Sequence, residues 1–108
     1  ASRQAPTGYD ILKMATRGSA RLLGRDDIGQ LSVGKCADLF MIDSRRLELV
    51  GCDQDAGSVL GTVGVRGPVD YTVVQGRVTV RQGHLVTVDE ELVAWEANNK
   101  CRDYLANV

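Results

Sequence analysis

Small and apolar side chains recur at helical spacing over residues 7–24, so the first element that the sequence predicts is a helix. They are Ile11, Leu12, Ala15, Ser19, Leu22 and Leu23. Thr7 and Asp10 have the spacing of a capping box, in which each side chain accepts a hydrogen bond from the backbone N–H of the other residue. Gly24 stands where a left-handed C-terminal cap is expected. The helix should therefore begin at Thr7 and end at Gly24.

Residues 28–43 combine two glycines with an apolar run. Gly29 and Gly34 are five residues apart, and the run at 39–42 follows directly after Asp38. Glycine reaches positive φ without the Cβ clash that costs another residue about 1 kcal/mol. The pattern predicts a buried strand entered through a tight corner, where the Asp38 carboxylate accepts backbone N–H bonds.

The hydrophobic pattern is weaker between residues 44 and 67, which are rich in glycine. Residues 47–50 alternate and are predicted to pair weakly at a sheet edge. Residues 55–63 are predicted to form a short helix that turns Val59, Leu60 and Val63 inward.

Two runs of β-branched residues, 69–74 and 77–81, flank the dipeptide Gln75-Gly76. This arrangement is typical of a β-hairpin with a two-residue turn, in which Gly76 takes a turn position. Alternation predicts Val78 and Val80 on the buried face. The residues predicted to face water are Arg77, Thr79 and Arg81.

After a second turn at residues 82–83, residues 84–86 are predicted as a third short strand. Thr87 has capping-box spacing with Glu90, and the acidic residues that follow favour a helix start. The helix should run to about residue 105, with an apolar stripe that must dock on something. The stripe consists of Val93, Ala97, Cys101 and Leu105.

The composition indicates one small soluble domain. The chain has 108 residues, 44% of them hydrophobic, with 13 Lys+Arg against 14 Asp+Glu, which argues against nucleic acid as a partner. It contains neither a membrane-spanning run nor a signal-peptide pattern, so we expect a cytoplasmic protein. Cys36, Cys52 and Cys101 are odd in number and widely spaced, and we interpret them as reduced packing residues.

Candidate catalytic chemistry is sparse. His84 is the only histidine and has no second ligand at metal spacing, so a structural or surface role is favoured. The acidic pairs Asp26-Asp27 and Asp53/Asp55 are explained as turn residues, and a solvated helix face explains a basic stripe better than an anion site does. The members of that stripe are Lys13, Arg17 and Arg21. No residue is predicted to be catalytic or to bind a metal, and the predicted roles of Gly29, Gly34, Asp38 and Gly76 are structural.

Five segments together resemble the C-terminal portion of the amidohydrolase superfamily, and they occur in the order and spacing of that family. They are residues 15–24, 28–31, 33–39, 69–77 and 81–85. Within the superfamily the chain is most similar to the cytosine/guanine deaminase-like branch, which includes 8-oxoguanine deaminases and hydroxyatrazine-type aminohydrolases.

The resemblance implies an α+β fragment of a metal-dependent hydrolase with a β/α barrel. Residues 1–27 would be the last barrel helix and lead-out turn, residues 28–88 part of a small composite β-sandwich domain with a closing hairpin, and residues 89–108 a C-terminal helix. In the family a divalent metal, zinc or iron, activates water to deaminate a purine, pyrimidine or triazine ring. The metal ligands lie upstream, so the segment itself carries no cofactor and should be inactive alone.

A whole barrel needs about 250 residues, which agrees with a fragment. Its partners would be the remainder of the enzyme and a small heterocyclic substrate, with no membrane or nucleic acid. Missing strands would leave unpaired sheet edges, so we expect a homo-oligomer through sheet edges or a swapped terminal helix. The alternative is a free-standing β-rich interaction module without enzymatic activity, which would need its own core and an exposed apolar patch.

Overall fold

A computed structural model describes residues 5–108. The first helical stretch contains α1 (Gly8–Lys13), a π-helical segment (Met14–Gly18) and α2 (Ser19–Leu22). The predicted capping box is confirmed, because Asp10 N donates to Thr7 Oγ1 at 3.1 Å and Thr7 N donates to Asp10 Oδ2 at 3.0 Å. After the helix, Gly24 has φ +70°, as predicted for a left-handed cap.

The strands form one antiparallel sheet in the order β1-β2-β3-β4. Their bounds are β1 Leu39–Met41, β2 Tyr71–Val74, β3 Arg77–Arg81 and β4 His84–Leu85. The hairpin and the third short strand are confirmed. The turn residues Gln75 and Gly76 have φ +51° and +77°, which is the backbone of a type I′ turn. The chain is thus a small α+β unit, as expected.

A β-bulge changes which side of the hairpin faces water. Thr72 pairs with Val80 and Val73 pairs with Val78, which leaves Thr79 without an opposite residue. The prediction that Thr79 faces water is wrong, because it is half-buried and its hydroxyl donates to Thr72 O at 3.3 Å. Val78 is correspondingly exposed.

The predicted edge strand at residues 47–50 is also wrong. Leu47–Leu49 form a short 3₁₀ helix, in which Leu49 N donates to Arg46 O at 2.9 Å. Local bonds therefore use backbone groups that a strand would have offered to a neighbour. Leu49 is buried and joins the small core instead.

The predicted helix at 55–63 is confirmed as α3 (Ala56–Val63), with Asp55 as its N-cap. Val59 and Leu60 are half-buried as expected, but Val63 is exposed because it lies in the last turn. The helix packs tightly on α1: a Cβ at Gly61 would overlap the backbone of Gly8, and one at Gly8 would overlap Ser58. Glycine is required at this crossing for steric reasons.

Strand β1 is not buried, contrary to the sequence prediction. Within the described part of the chain it pairs with β2 alone, and Phe40 and Met41 are 54% and 49% exposed. The buried hydrophobic residues of the described chain are Ala20, Leu49 and Cys52. Most large apolar side chains therefore have no core to enter within residues 5–108.

The C-terminal helix α4 (Glu90–Ala106) ends within a residue of its predicted end. Its N-cap is Asp89, which accepts from Leu92 N at 3.1 Å, so the prediction of Thr87 as the cap is wrong. The short Asp89 side chain is adjacent to the first turn, whereas Thr87 lies two residues too early. The predicted apolar stripe is exposed and does not dock on the described residues. None of the described helices has the length and apolarity needed to cross a membrane.

Candidate functional site

Asp38 and Gly76, two of the four residues with predicted structural roles, lie together where strand β1 meets the hairpin turn. Gln75 N donates to Asp38 Oδ1 at 2.8 Å, and Gly76 N donates to Ala37 O at 3.0 Å. We call this pair of bonds the hairpin clasp. The carboxylate thus accepts from the turn 37 residues away rather than from its own corner. The Asp38 side chain is also exposed to solvent.

Gly29 and Gly34 take no part in the bonds of the hairpin clasp, and their surroundings differ from each other. Both have positive φ, +91° and +89°, as their predicted corner requires. A Cβ at Gly29 would lie 2.9 Å from Thr16 O and 2.9 Å from the Ala20 Cβ, so this glycine lets the loop touch the first helix. A Cβ at Gly34 would meet no atom within 4 Å, so only its backbone conformation matters.

Asp27, which was predicted to be a turn residue, is the centre of a polar cluster. Arg25 donates to its two carboxylate oxygens at 2.9 and 2.7 Å, and the Cys36 thiol donates to it at 3.3 Å. Arg25 and then Cys36 lower the pKa of Asp27 to about 2. The same carboxylate raises the pKa of the Cys36 thiol, which disfavours the thiolate form that a nucleophile needs.

A second polar cluster joins the loop after β1 to the strand entry of β2. Asp70 accepts from Asp43 N at 2.6 Å and pairs with Arg46 at 3.2 Å. Arg46 also donates to Pro68 O at 2.7 Å and to Arg66 O at 3.3 Å. Its side chain is only 19% exposed, so Arg46 connects these two segments within the protein and is not a free surface charge. Arg46 was not singled out in the sequence, although Glu48, two residues further along the chain, is a carboxylate that lies 3.7 Å from it.

The charges around this second cluster favour ionised carboxylates. Arg45 lowers the pKa of Asp43 to about 2, chiefly through its side-chain hydrogen bonds. The Asp43 backbone bond, and after it Arg46, lower the pKa of Asp70. Met41, Tyr71 and Gln82 complete an open cavity of about 410 Å³ beside these groups. Both carboxylates are engaged by cations or backbone, so they position the loop and are not free general bases.

The only histidine has a carboxylate partner that spacing did not reveal. His84 Nδ1 lies 2.8 Å from Glu90 Oε1, on the exposed surface between β4 and the start of α4. The structure thus corrects the expectation that no carboxylate is close to His84.

No group of three or more His, Cys, Asp or Glu side chains converges anywhere in residues 5–108. Among the cysteines, Cys52 is buried and Cys36 half-buried, whereas Cys101 is exposed, so the packing role predicted for Cys101 is wrong. The described residues therefore do not fit the metal centre that the family resemblance implies. No catalytic step can be assigned to them.

An apolar groove is the other marked surface of the chain. It has a volume of about 410 Å³ and lies between the first helix and strand β1. Its apolar lining includes Ala15, Leu23, Leu31, Leu39 and Phe40. A groove open along hydrophobic side chains is typical of a surface that packs against more protein.

Comparison with known proteins gives a family model and curated relatives. The model described as "Amidohydrolase family" matches residues 3–80. Hydroxydechloroatrazine ethylaminohydrolase of Pseudomonas sp. (strain ADP) is 43% identical over 97 residues, which are 90% of this chain and 20% of the relative. A 5-methylthioadenosine/S-adenosylhomocysteine deaminase of Desulforudis audaxviator (strain MP104C) is 36% identical over 104 residues, covering 95% and 24%.

The chain also matches part of solved enzyme structures. Atrazine chlorohydrolase TrzN from Arthrobacter aurescens TC1, complexed with zinc, matches with a TM-score of 0.76 and 32% identity. The match covers 86% of this chain and 20% of that enzyme. The chain spans about a fifth of the length of the relatives it matches.

Proposed function

The chain belongs to the amidohydrolase family, and we propose that it forms the C-terminal scaffold segment of a metal-dependent hydrolase that deaminates a purine, pyrimidine or triazine ring. In this proposal the remainder of the enzyme holds the divalent metal, zinc or iron, and the substrate. The described residues shape and close the protein around them and carry no reacting group.

The observation that carries the proposal is the imbalance between polar and apolar groups in the described chain. No buried side-chain nitrogen or oxygen atom lacks a hydrogen-bond partner in residues 5–108. Large apolar side chains, by contrast, are left in contact with water, since Phe40, Leu31 and Leu23 remain 54%, 70% and 69% exposed around the apolar groove. Each such side chain gains about 1.5–3 kcal/mol on full burial. A scaffold segment would gain this burial from the rest of its enzyme.

The substrate class rests on the relatives. The Pseudomonas relative is named for removing an ethylamino group from a triazine, and the Desulforudis relative for deaminating a purine nucleoside. Both reactions replace a ring amino group by oxygen, which supports the proposed reaction type. The zinc in the TrzN structure supports a divalent metal in the proposed whole enzyme.

In the proposed whole enzyme, the helices and the sheet of this chain would take different positions. The helical stretch of α1 and α2 would be the last barrel helix, and the four-stranded sheet would be part of the small sandwich domain. Strand β1, which pairs with β2 alone, would then have further strands beside it. The hairpin clasp would keep β1 and the turn at Gly76 in register for that pairing.

A segment exchange tests the proposal. The part of the Pseudomonas ethylaminohydrolase that matches this chain is replaced by this chain, and soluble yield, metal content and ethylaminohydrolase activity are measured. We expect a soluble chimera that binds metal and retains measurable activity, because a scaffold segment supplies no reacting group.

Two matched exchanges serve as controls. One carries the corresponding segment of the Desulforudis deaminase, and the other carries this chain with Gly61→Leu, which should abolish soluble yield. A metal-loaded but inactive chimera with this chain would contradict a purely scaffolding role. An insoluble chimera beside a soluble Desulforudis control would contradict the proposed scaffold role of this chain.

A further inference from the structure

The first helical stretch carries a stripe of basic residues and no acidic residue between residues 11 and 25. The stripe consists of Lys13, Arg17, Arg21 and Arg25. Arg25 is paired with Asp27 at 2.7 Å. Within residues 5–108, Arg17 and Arg21 form no ion pair with a carboxylate. Two neighbouring guanidinium groups are therefore left without a counter-charge in this part of the chain.

The loop after the helix folds back against this stripe and forms a pocket with it. Gly29 permits the approach, because a Cβ there would lie 2.9 Å from Thr16 O and 3.3 Å from the Arg17 Cα. The result is an open pocket of about 380 Å³, which we call the basic pocket. Its charged and polar lining consists of Arg17, Arg21, Arg25, Asp26, Gln30 and Lys35. The stripe alone predicted a solvated helix face, and the loop residues are what change that interpretation.

Lys35 is held in place within the basic pocket. Its Nζ donates to Asp26 O, and its side chain is half-buried. Cys36 N donates to Asp27 O at 2.7 Å, which fixes the same end of the loop. An ammonium group has three donors, so two remain for a ligand. A ligand that uses them meets a side chain that is already ordered, which lowers the entropy cost of binding.

The basic pocket keeps an excess of positive charge. Its lining has four cationic side chains and one carboxylate, Asp26. Asp26 and the Asp27 partner of Arg25 offset two of the four charges, which leaves two. A single carboxylate would balance only one of them, whereas a phosphate group carries about two negative charges and three acceptor oxygens. Guanidinium groups also match phosphate oxygens with paired N–H donors.

We propose that the basic pocket binds a phosphate group, which is held by Arg17, Arg21 and Lys35. The volume of about 380 Å³ admits either the free ion or a phosphate ester, since small-ligand pockets begin at about 300 Å³. Both ligands present the same oxygens to the two guanidinium groups and the ammonium group.

The basic pocket is distinct from the apolar groove beside the same helix. Ala15 and Leu23 line the groove but not the pocket, whereas Arg17 and Arg21 line the pocket but not the groove. Protein that packs into the groove therefore does not have to cover the two arginines. An acidic side chain from such protein is the competing occupant, and it would exclude phosphate from the pocket.

Titration of the full-length protein with inorganic phosphate tests the proposal. Calorimetry at about pH 8, where phosphate carries two charges, uses sodium chloride to keep the ionic strength constant. We expect one phosphate bound per basic pocket, in preference to the chloride present. Methyl phosphate is titrated in parallel. Equal binding of both would indicate an ester as the ligand, and binding of inorganic phosphate alone would indicate the free ion.

Single substitutions locate the binding. Arg17→Gln and Arg21→Gln should each weaken phosphate binding by about tenfold or more, because each removes charged N–H donors. Arg21→Lys should recover only part of the affinity, since an ammonium group lacks the paired donors. The matched control is Lys13→Gln, which removes the same charge from the same helix outside the pocket, where Lys13 Nζ lies 4.7 Å from the Tyr9 ring centroid. This control should bind phosphate as the wild type does.

Three results would overturn the proposal. Wild-type protein could bind phosphate no better than chloride, which is the result expected if an acidic side chain fills the pocket. Binding could be unchanged in Arg17→Gln and Arg21→Gln, which would place the phosphate elsewhere in the protein. Lys13→Gln could lose as much affinity as Arg21→Gln, which would indicate general electrostatic attraction.

The wild-type comparison of phosphate with chloride needs no variant, so it decides the matter even where a substitution prevents folding. None of these measurements uses hydrolase activity. The inference therefore does not rest on the proposed function and can fail separately from it.

Discussion

The loops around the sheet differ from the helical faces beside them in how much of their surface finds a partner within the chain. In the loops, Arg46 alone contacts Pro68 O, Arg66 O and Asp70. On the helical faces, Leu22 and Tyr104 are 88% and 72% exposed. Arg46 is thus paired within the chain, whereas these two apolar side chains are left exposed to water. Hydrogen bonds in a loop need donors and acceptors in a defined geometry. Hydrophobic burial is non-directional, so any apolar surface of matching shape can supply it.

The helix crossing at Gly61 is the exception, since it is a close contact completed within the chain. Gly61→Leu should cost more than about 3 kcal/mol or prevent folding, because its side chain would overlap the backbone of Gly8. Urea denaturation measures the loss. The control is Gly18→Ala, whose Cβ would make ordinary contacts at 3.7 Å and should stabilise the helix slightly. Equal stability of the two variants would refute the tight crossing.

Replacing Arg46 tests how much its hydrogen bonds and ion pair contribute to the free energy of unfolding. Arg46→Ala should lower the free energy of unfolding by about 1–3 kcal/mol, because it leaves two carbonyls and Asp70 without their donor. The neighbouring Arg45→Ala is the control, since Arg45 is 88% exposed and its ion pair with Asp43 should contribute little to the stability. Thermal melts that rank the two variants the other way would contradict the distinction.

The hairpin clasp should contribute less than Arg46. Asp38→Ala removes the acceptor of Gln75 N, and because the bond is exposed, water replaces it at a cost of about 0.5–1 kcal/mol. Asp38→Asn keeps an acceptor oxygen and should retain most of the stability. Chemical denaturation of both variants measures the difference, and a loss as large as that of Arg46→Ala would show that the clasp is shielded from water.

Acid should weaken the exposed ion pairs of Asp27 and Asp43. Their pKa values are lowered to about 2 in the folded chain, against about 3.9 in an unfolded one. The unfolded state therefore binds more protons between these values, so the stabilisation is present above about pH 4 and is lost as the pH falls towards 2.

Thermal melts from pH 5 to pH 2 measure this effect. The variant Asp27→Asn should show a flatter dependence than the wild type. Identical profiles would mean that the Arg25 pair is not formed in solution.

The sequence predicted the elements whose signals are local. The Thr7 capping box, the Gln75-Gly76 turn and the family itself were all correct, because each depends on residues close together in the chain or on motif order. Strand β1 was predicted as buried because its residues are apolar, but burial depends on what lies beside a strand.

The contacts at the site that the sequence did not predict have a related cause, because they join residues that are far apart in the chain. Asp38 was predicted to accept backbone N–H bonds at its own corner, but the donor is Gln75 N, 37 residues away, and no periodicity carries that information. The bulge that turns Thr79 inward likewise arises from the pairing register and not from the strand's own pattern. The roles of Gly29, Gly34, Asp38 and Gly76 in the whole enzyme stay predictions.

The topology of the sheet implies an order of events during synthesis. Strands β2, β3 and β4 are joined by two-residue turns and can pair as soon as they are made, whereas β1 must wait for β2 across residues 42–70. At about 5–20 residues per second, β1 leaves the ribosome a few seconds before its partner exists. During that interval Phe40 and Met41 lack the partner strand to which they bond in the folded chain.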